Sequence, residues 1–141
     1  MKTRFTPLVK IKKSDLDKCE RDLSKANEDK KNAQKALDEA YRQLEQTSHI
    51  KDGTMSQFLQ ERAVLDIQRG VIEQKRSWLN FASQQQEQFK QRYNDSAIEY
   101  EKYKYLETQE IAKLLKIKAK AEAKQLDESA LHSFMFKQER K

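Results

Sequence analysis

The sequence predicts an all-α protein: a long antiparallel two-helix coiled-coil hairpin with a C-terminal helical overhang. Three observations lead there. The 141 residues include two glycines and one proline, too few for the turns of a compact globule. Charged residues make up 37% and hydrophobic residues 36%, which suits solvated rods better than a deep core. Apolar residues also recur every seven positions in two long stretches, separated by one cluster of turn-forming residues. That period distinguishes the chain from a disordered one of similar charge.

The first helix is expected over about residues 5–48, with Pro7 near its start, where proline is tolerated. Its heptad places Leu16, Leu23, Lys30, Leu37 and Leu44 at position a, and Cys19, Ala26, Ala33, Ala40 and Thr47 at position d. The small d residues allow close approach of a second helix. Lys30 is the charged intruder, of the kind that fixes register at some cost in stability. Cys19 reads as a small packing residue.

A turn is expected at about 48–54, where Ser48-His49-Ile50-Lys51-Asp52-Gly53-Thr54 contains the Asp-Gly turn dipeptide. Thr54 and Gln57 have the spacing of a capping box, so a second helix starts at Met55 and runs to about residue 135. Its seam is Phe58, Leu65, Ile72, Leu79, Gln86, Tyr93 and Tyr100, widened by Val64, Val71 and Trp78. Trp78, Phe89 and Tyr93 read as hairpin core. Gly70 costs about 1 kcal/mol against alanine and is a candidate bend. The seam weakens at Glu107 and resumes through Leu114, Ile117, Ala121, Leu131 and Met135. All of this forms one coiled-coil domain over residues 1–141.

A turn centred near residue 51 pairs positions whose numbers sum to about 103, because both helices rise equally per residue. Leu44 then faces Phe58 and Leu59, Leu37 faces Leu65, Leu23 faces Leu79, and Val9 faces Tyr93. Lys30 falls level with Ile72 and Glu73. The expected seam is thus carried by Leu16, Leu23, Leu37, Leu79 and Tyr93. Residues 96–135 are left as an overhang of roughly 60 Å. It carries Tyr100, Tyr103, Leu106, Ile111, Leu114, Leu115 and Ile117, a stripe that calls for a partner or another copy.

The residues offer no catalytic, cofactor-binding or metal-ligating constellation. His49 and His132 are far apart, and no HExxH, CxxC or glycine-rich phosphate loop is present. An enzyme is not expected, and no cofactor is expected. Net charge is +6, with basic groups at Lys10, Lys12 and Lys13 and at Lys113, Lys116, Lys118, Lys120 and Lys124. They read as solvated helix surface or as docking points for an acidic protein. Asp15, Asp17 and Glu20 interrupt the first group, unlike the basic region of a zipper, so nucleic acid is not an expected partner. The single cysteine fits a reducing compartment. No apolar run approaches the roughly 18 residues of a membrane span. Met1-Lys2-Thr3-Arg4-Phe5 leads into charges rather than a signal-peptide core, so a cytoplasmic protein is expected.

Four pieces of the sequence resemble the FliJ family of bacterial flagellar type III export. They are Phe5-x-x-Leu8 leading into the Ala/Leu heptads; Phe58-Leu59, Leu65 and Ile72-Glu73-Gln74 after the break; Glu101 to Glu107; and the ending Lys124-Gln125-Leu126-Asp127-Glu128-Ser129-Ala130. The last is similar to that family's C-terminal pattern. The resemblance implies a non-enzymatic stalk and adaptor that joins the export ATPase to the cytoplasmic domain of the export gate and escorts export chaperones. It implies peripheral association with the inner-membrane apparatus. It places a gate contact near the hairpin tip, at Tyr41, Leu44, Phe58, Leu65 and Ile72. An ATPase-facing surface falls on the overhang, at Tyr100, Tyr103, Leu106, Leu114, Lys116 and Lys120. The competing readings are a self-associating coiled-coil scaffold and, less favoured, a nucleic-acid-binding helical protein.

Overall fold

The computed structural model describes residues 2–47 and 53–139. They form two helices, α1 (Thr6–Gln46) and α2 (Met55–Glu139), and no strand is found among the described residues. Most of the expected turn, residues 48–52, lies outside the described residues. Helix α2 ends four residues beyond the expected limit of 135. Among the described residues no helix is long and apolar enough to cross a membrane.

Local capping explains where each helix begins. Before α1, the Phe5 amide donates to Thr3 Oγ1 (3.1 Å) and the Thr3 amide donates to Thr6 Oγ1 (2.9 Å). This reciprocal pair satisfies amides that the first turn leaves without helical partners. Pro7 follows in that first turn, where a missing N–H costs little. Before α2, the Gln57 amide donates to Thr54 Oγ1 (3.2 Å) and the Thr54 amide donates to Gln57 Oε1 (3.0 Å), the expected capping box. The helix passes through Gly70 unbroken, and a Cβ there would meet nothing within 4 Å.

The chain divides into two compact units, one of residues Asp15–Ser96 and one of Met1–Ser14 with Ala97–Lys141. The Asp15–Ser96 unit holds every buried residue of the described chain: Ala26, Ala33, Leu37, Ala40, Ile72 and Ala82. Ala33 has no exposed surface at all. Leu37, Ala40 and Ile72 form one cluster, and Leu44 and Leu79 pack against it. Small residues at d on α1 let α2 lie close enough for leucines at a to reach across. The seam residues Leu16, Leu23, Leu79 and Tyr93 are half-buried, as is Cys19.

Register is where the structure departs from expectation. Lys30 Nζ donates to Gln86 Oε1 (3.3 Å), Thr47 Oγ1 donates to Gln68 Oε1 (2.8 Å), and Arg76 donates to the Tyr41 hydroxyl. Those paired numbers sum to 115–117 rather than about 103. Leu37 is therefore level with Leu79 instead of Leu65, Leu44 with Ile72 instead of Phe58, and Leu23 with Tyr93 instead of Leu79. The shift is two heptads, so the same seam residues face inward. The expectation erred by assuming that the two helices meet evenly at the turn. In fact residues 55–67 of α2 lie beyond the position level with the end of α1.

The true register matches polar with polar. Gln86 is the polar interruption of the α2 seam, as Lys30 is of the α1 seam. Its Nε2 also donates to Asn27 Oδ1 (2.8 Å). A slide of one or two heptads towards the expected register would set Lys30 against Leu79 or Ile72 and leave Gln86 facing Leu23 or Leu16. Leaving such groups unpaired in a seam costs about 1–3 kcal/mol each. The Lys30–Gln86–Asn27 cluster thus sets the pairing of two otherwise repetitive stripes.

In the second unit, the start of α1 packs on α2 through cation–aromatic contacts. Lys12 Nζ sits 5.4 Å from the centre of the Tyr103 ring and 3.7 Å from Glu99 Oε2. Lys13 Nζ sits 5.5 Å from the Tyr100 ring centre. Glu107 interrupts this seam, and its Oε2 is buried without a hydrogen-bond partner. The expected overhang from residue 96 is thus corrected. Residues 99–103 have partners on α1, Leu106 and Ile111 are half-buried, and α2 becomes exposed at every residue from Ala112 to Glu139.

Candidate protein-interaction site

Three surfaces have residues suited to binding another protein. The first is the leading end of α2. Met55, Phe58, Leu59, Val64 and Ile67 are all exposed apolar side chains. Before residue 68 the first turns of α2 have no described α1 residue level with them. The expected gate residues divide here. Phe58 and Tyr41 are exposed, Leu65 is half-buried, Leu44 packs on the core, and Ile72 is 5% exposed within it. Ile72 therefore holds the hairpin together and presents almost nothing to a partner. Beside Tyr41, Arg76 bridges to Glu73 (Nη1–Oε1 3.6 Å). The guanidinium is held above its ordinary pKa, first by its hydrogen bond to the Tyr41 hydroxyl.

The second surface is a groove of about 420 Å³ between the helices of the Asp15–Ser96 unit. Ala26 and Ala82 make its floor, Trp78, Phe81 and Phe89 one wall, and Asp22, Lys25 and Asp29 the opposite rim. Trp78 and Phe81 are 41% and 61% exposed, so the reading of Trp78 as hairpin core is corrected. Phe89 is half-buried. The sequence signal was available. Trp78, Ala82, Gln85 and Phe89 recur at helical spacing on a stripe displaced from the Leu79–Gln86–Tyr93 seam, so they flank the partner helix.

The third surface is the exposed part of α2 after Ile111. Leu114, Lys116 and Lys120 of the expected overhang set lie there. Tyr100, Tyr103 and Leu106 do not, being half-buried in the paired part of the same unit. Lys113, Lys116, Ile117 and Lys120 share one face of the exposed stretch. Five lysines fall between positions 113 and 124 against the single acid Glu122. Leu126, Leu131, Phe134, Met135 and Phe136 add exposed apolar surface further along.

The three surfaces differ in chemistry: exposed apolar residues at the first, an aromatic groove at the second, and lysines with apolar residues at the third. The family described as Flagellar FliJ protein matches residues 1–139. No curated protein matches, and no solved structure matches.

Proposed function

The chain belongs to the FliJ family of flagellar export components, and from that premise we propose that it is a non-catalytic stalk and adaptor between the export ATPase and the export gate. The family match across residues 1–139 carries this reading. The leading end of α2, at Phe58, supplies the gate contact together with Tyr41, which lies further along the hairpin beside Arg76. Leu65 lines its edge, while Leu44 and Ile72 support it from the core. The exposed stretch from Ala112 supplies the ATPase contact through Leu114, Lys116 and Lys120, with Tyr100, Tyr103 and Leu106 fixing the helix from which it projects. Export chaperones are the expected cargo partners. Apparatus bound at the membrane recruits the chain through protein contacts.

Apolar anchors ringed by charge suit this work. Anchors supply most of the affinity, and lysines speed encounter with acidic surfaces. Two substitutions separate the contacts in a pull-down with the purified ATPase and gate domain. Phe58→Asp is expected to abolish gate capture and spare the ATPase. Lys116→Glu with Lys120→Glu is expected to do the reverse and to reduce motility. Wild-type chain that captures neither component contradicts the proposal.

A further inference from the structure

We propose that the groove between α1 and α2 at Trp78 and Phe81 receives the Lys113–Lys120 face of a second copy of this chain. The groove is built for a third helix. Its floor is the alanine pair Ala26 and Ala82, and small residues let a helix approach closely. Its wall offers exposed aromatic surface at Trp78 and Phe81. Its rim carries two carboxylates, Asp22 and Asp29, seven residues apart on one face of α1. Seven residues are two helical turns, about 10 Å.

The sequence holds a ridge of matching pitch. Lys113 and Lys120 are also seven residues apart and share a face, with Ile117 between them. That ridge is exposed throughout. Laid antiparallel to α1, it sets Lys120 on Asp22 and Lys113 on Asp29, with Ile117 next to the level of Ala26. Lys25 then lies level with Ile117, along which its aliphatic stem can lie. Run parallel, the same lysines would meet the same aspartates in the opposite order, so the charges fix the ridge on the rim in either direction.

Such an interface joins two different patches, so it propagates head to tail instead of closing a symmetric dimer. It also occupies the lysine face assigned above to the ATPase, so self-association and partner docking compete. The inference does not depend on that assignment.

Sedimentation equilibrium of the full chain tests it with no export component present. The wild type is expected to gain average mass with concentration at low salt, and to lose that gain at high salt. The pair Lys113→Glu with Lys120→Glu, and separately the pair Asp22→Lys with Asp29→Lys, each set like charges together. Each is expected to weaken association at least about tenfold. Mixing the two variants restores opposite charges at every junction and should restore association. Far-ultraviolet circular dichroism confirms that each variant keeps its helices. A wild type that stays monomeric at every concentration overturns the proposal. So does association that survives in either variant alone, or a mixture no better than its parts.

Discussion

The two units of this chain are held together by different physics. In the Asp15–Ser96 unit, alanines at d bring the helices close and Leu37, Leu44, Ile72 and Leu79 interlock. In the unit of the chain's two ends no described residue is buried, and lysines of α1 rest on tyrosine rings of α2. Burial of a leucine is worth about 1.5–3 kcal/mol, whereas an exposed cation–aromatic contact contributes about 0.5–1 kcal/mol. Stability is therefore concentrated in one unit. The other is held by weaker, more exposed contacts.

The largest break in that contrast should come from Leu37→Ala. It removes the centre of the only buried cluster described, and is expected to cost about 2–4 kcal/mol in chemical denaturation. Tyr103→Ala, by contrast, should cost under about 1 kcal/mol, and raised salt should erase part of that smaller cost. Equal losses from the two substitutions would remove the distinction between the units.

A second test concerns how each unit handles a polar residue in its seam. The Lys30–Gln86–Asn27 cluster is satisfied, while Glu107 leaves an oxygen buried without a partner. Replacing both Lys30 and Gln86 by leucine should add about 1–2 kcal/mol while relaxing register. Cysteines placed at Leu16 and Tyr93 in a Cys19→Ser background report the slip. Those positions are one heptad out of register, too far for a disulfide in the native pairing. Cross-linking is expected only when both leucines are present. Glu107→Leu has the smallest expected effect, a gain of about 1 kcal/mol from removing an unsatisfied buried oxygen.

Much of the architecture was legible because a seven-residue period survives any error in register. Leu16, Leu23, Leu37, Leu79 and Tyr93 lie in the paired region whichever heptads are matched. Thr54 and Gln57 marked the start of α2 because capping depends on neighbours three residues apart. Register was lost for the same reason that the seam was found, since a repeat looks alike at every offset. The deciding clue, one polar residue in each seam, was present at Lys30 and Gln86. Counting back from the turn overrode it. That error lengthened the overhang by about a heptad pair and placed Tyr100, Tyr103 and Leu106 in water. It also set Ile72 near a tip it does not occupy. The groove at Trp78 and Phe81 was not legible because a tryptophan beside a seam reads as core.

The central claim is that burial of α2 ends at about Ile111 and that every described residue beyond it is exposed. Amide hydrogen exchange, resolved along the chain, measures it directly. Isolated helices are marginal in water, so their amides open readily. Measured dilute and at raised salt, where copies stay apart, exchange should be slow across residues 26–40 and 72–86. It should quicken through 97–111 and be fast from 112 to 139. Protection from 112 to 139 as strong as that around Leu37 and Ile72 would contradict the account.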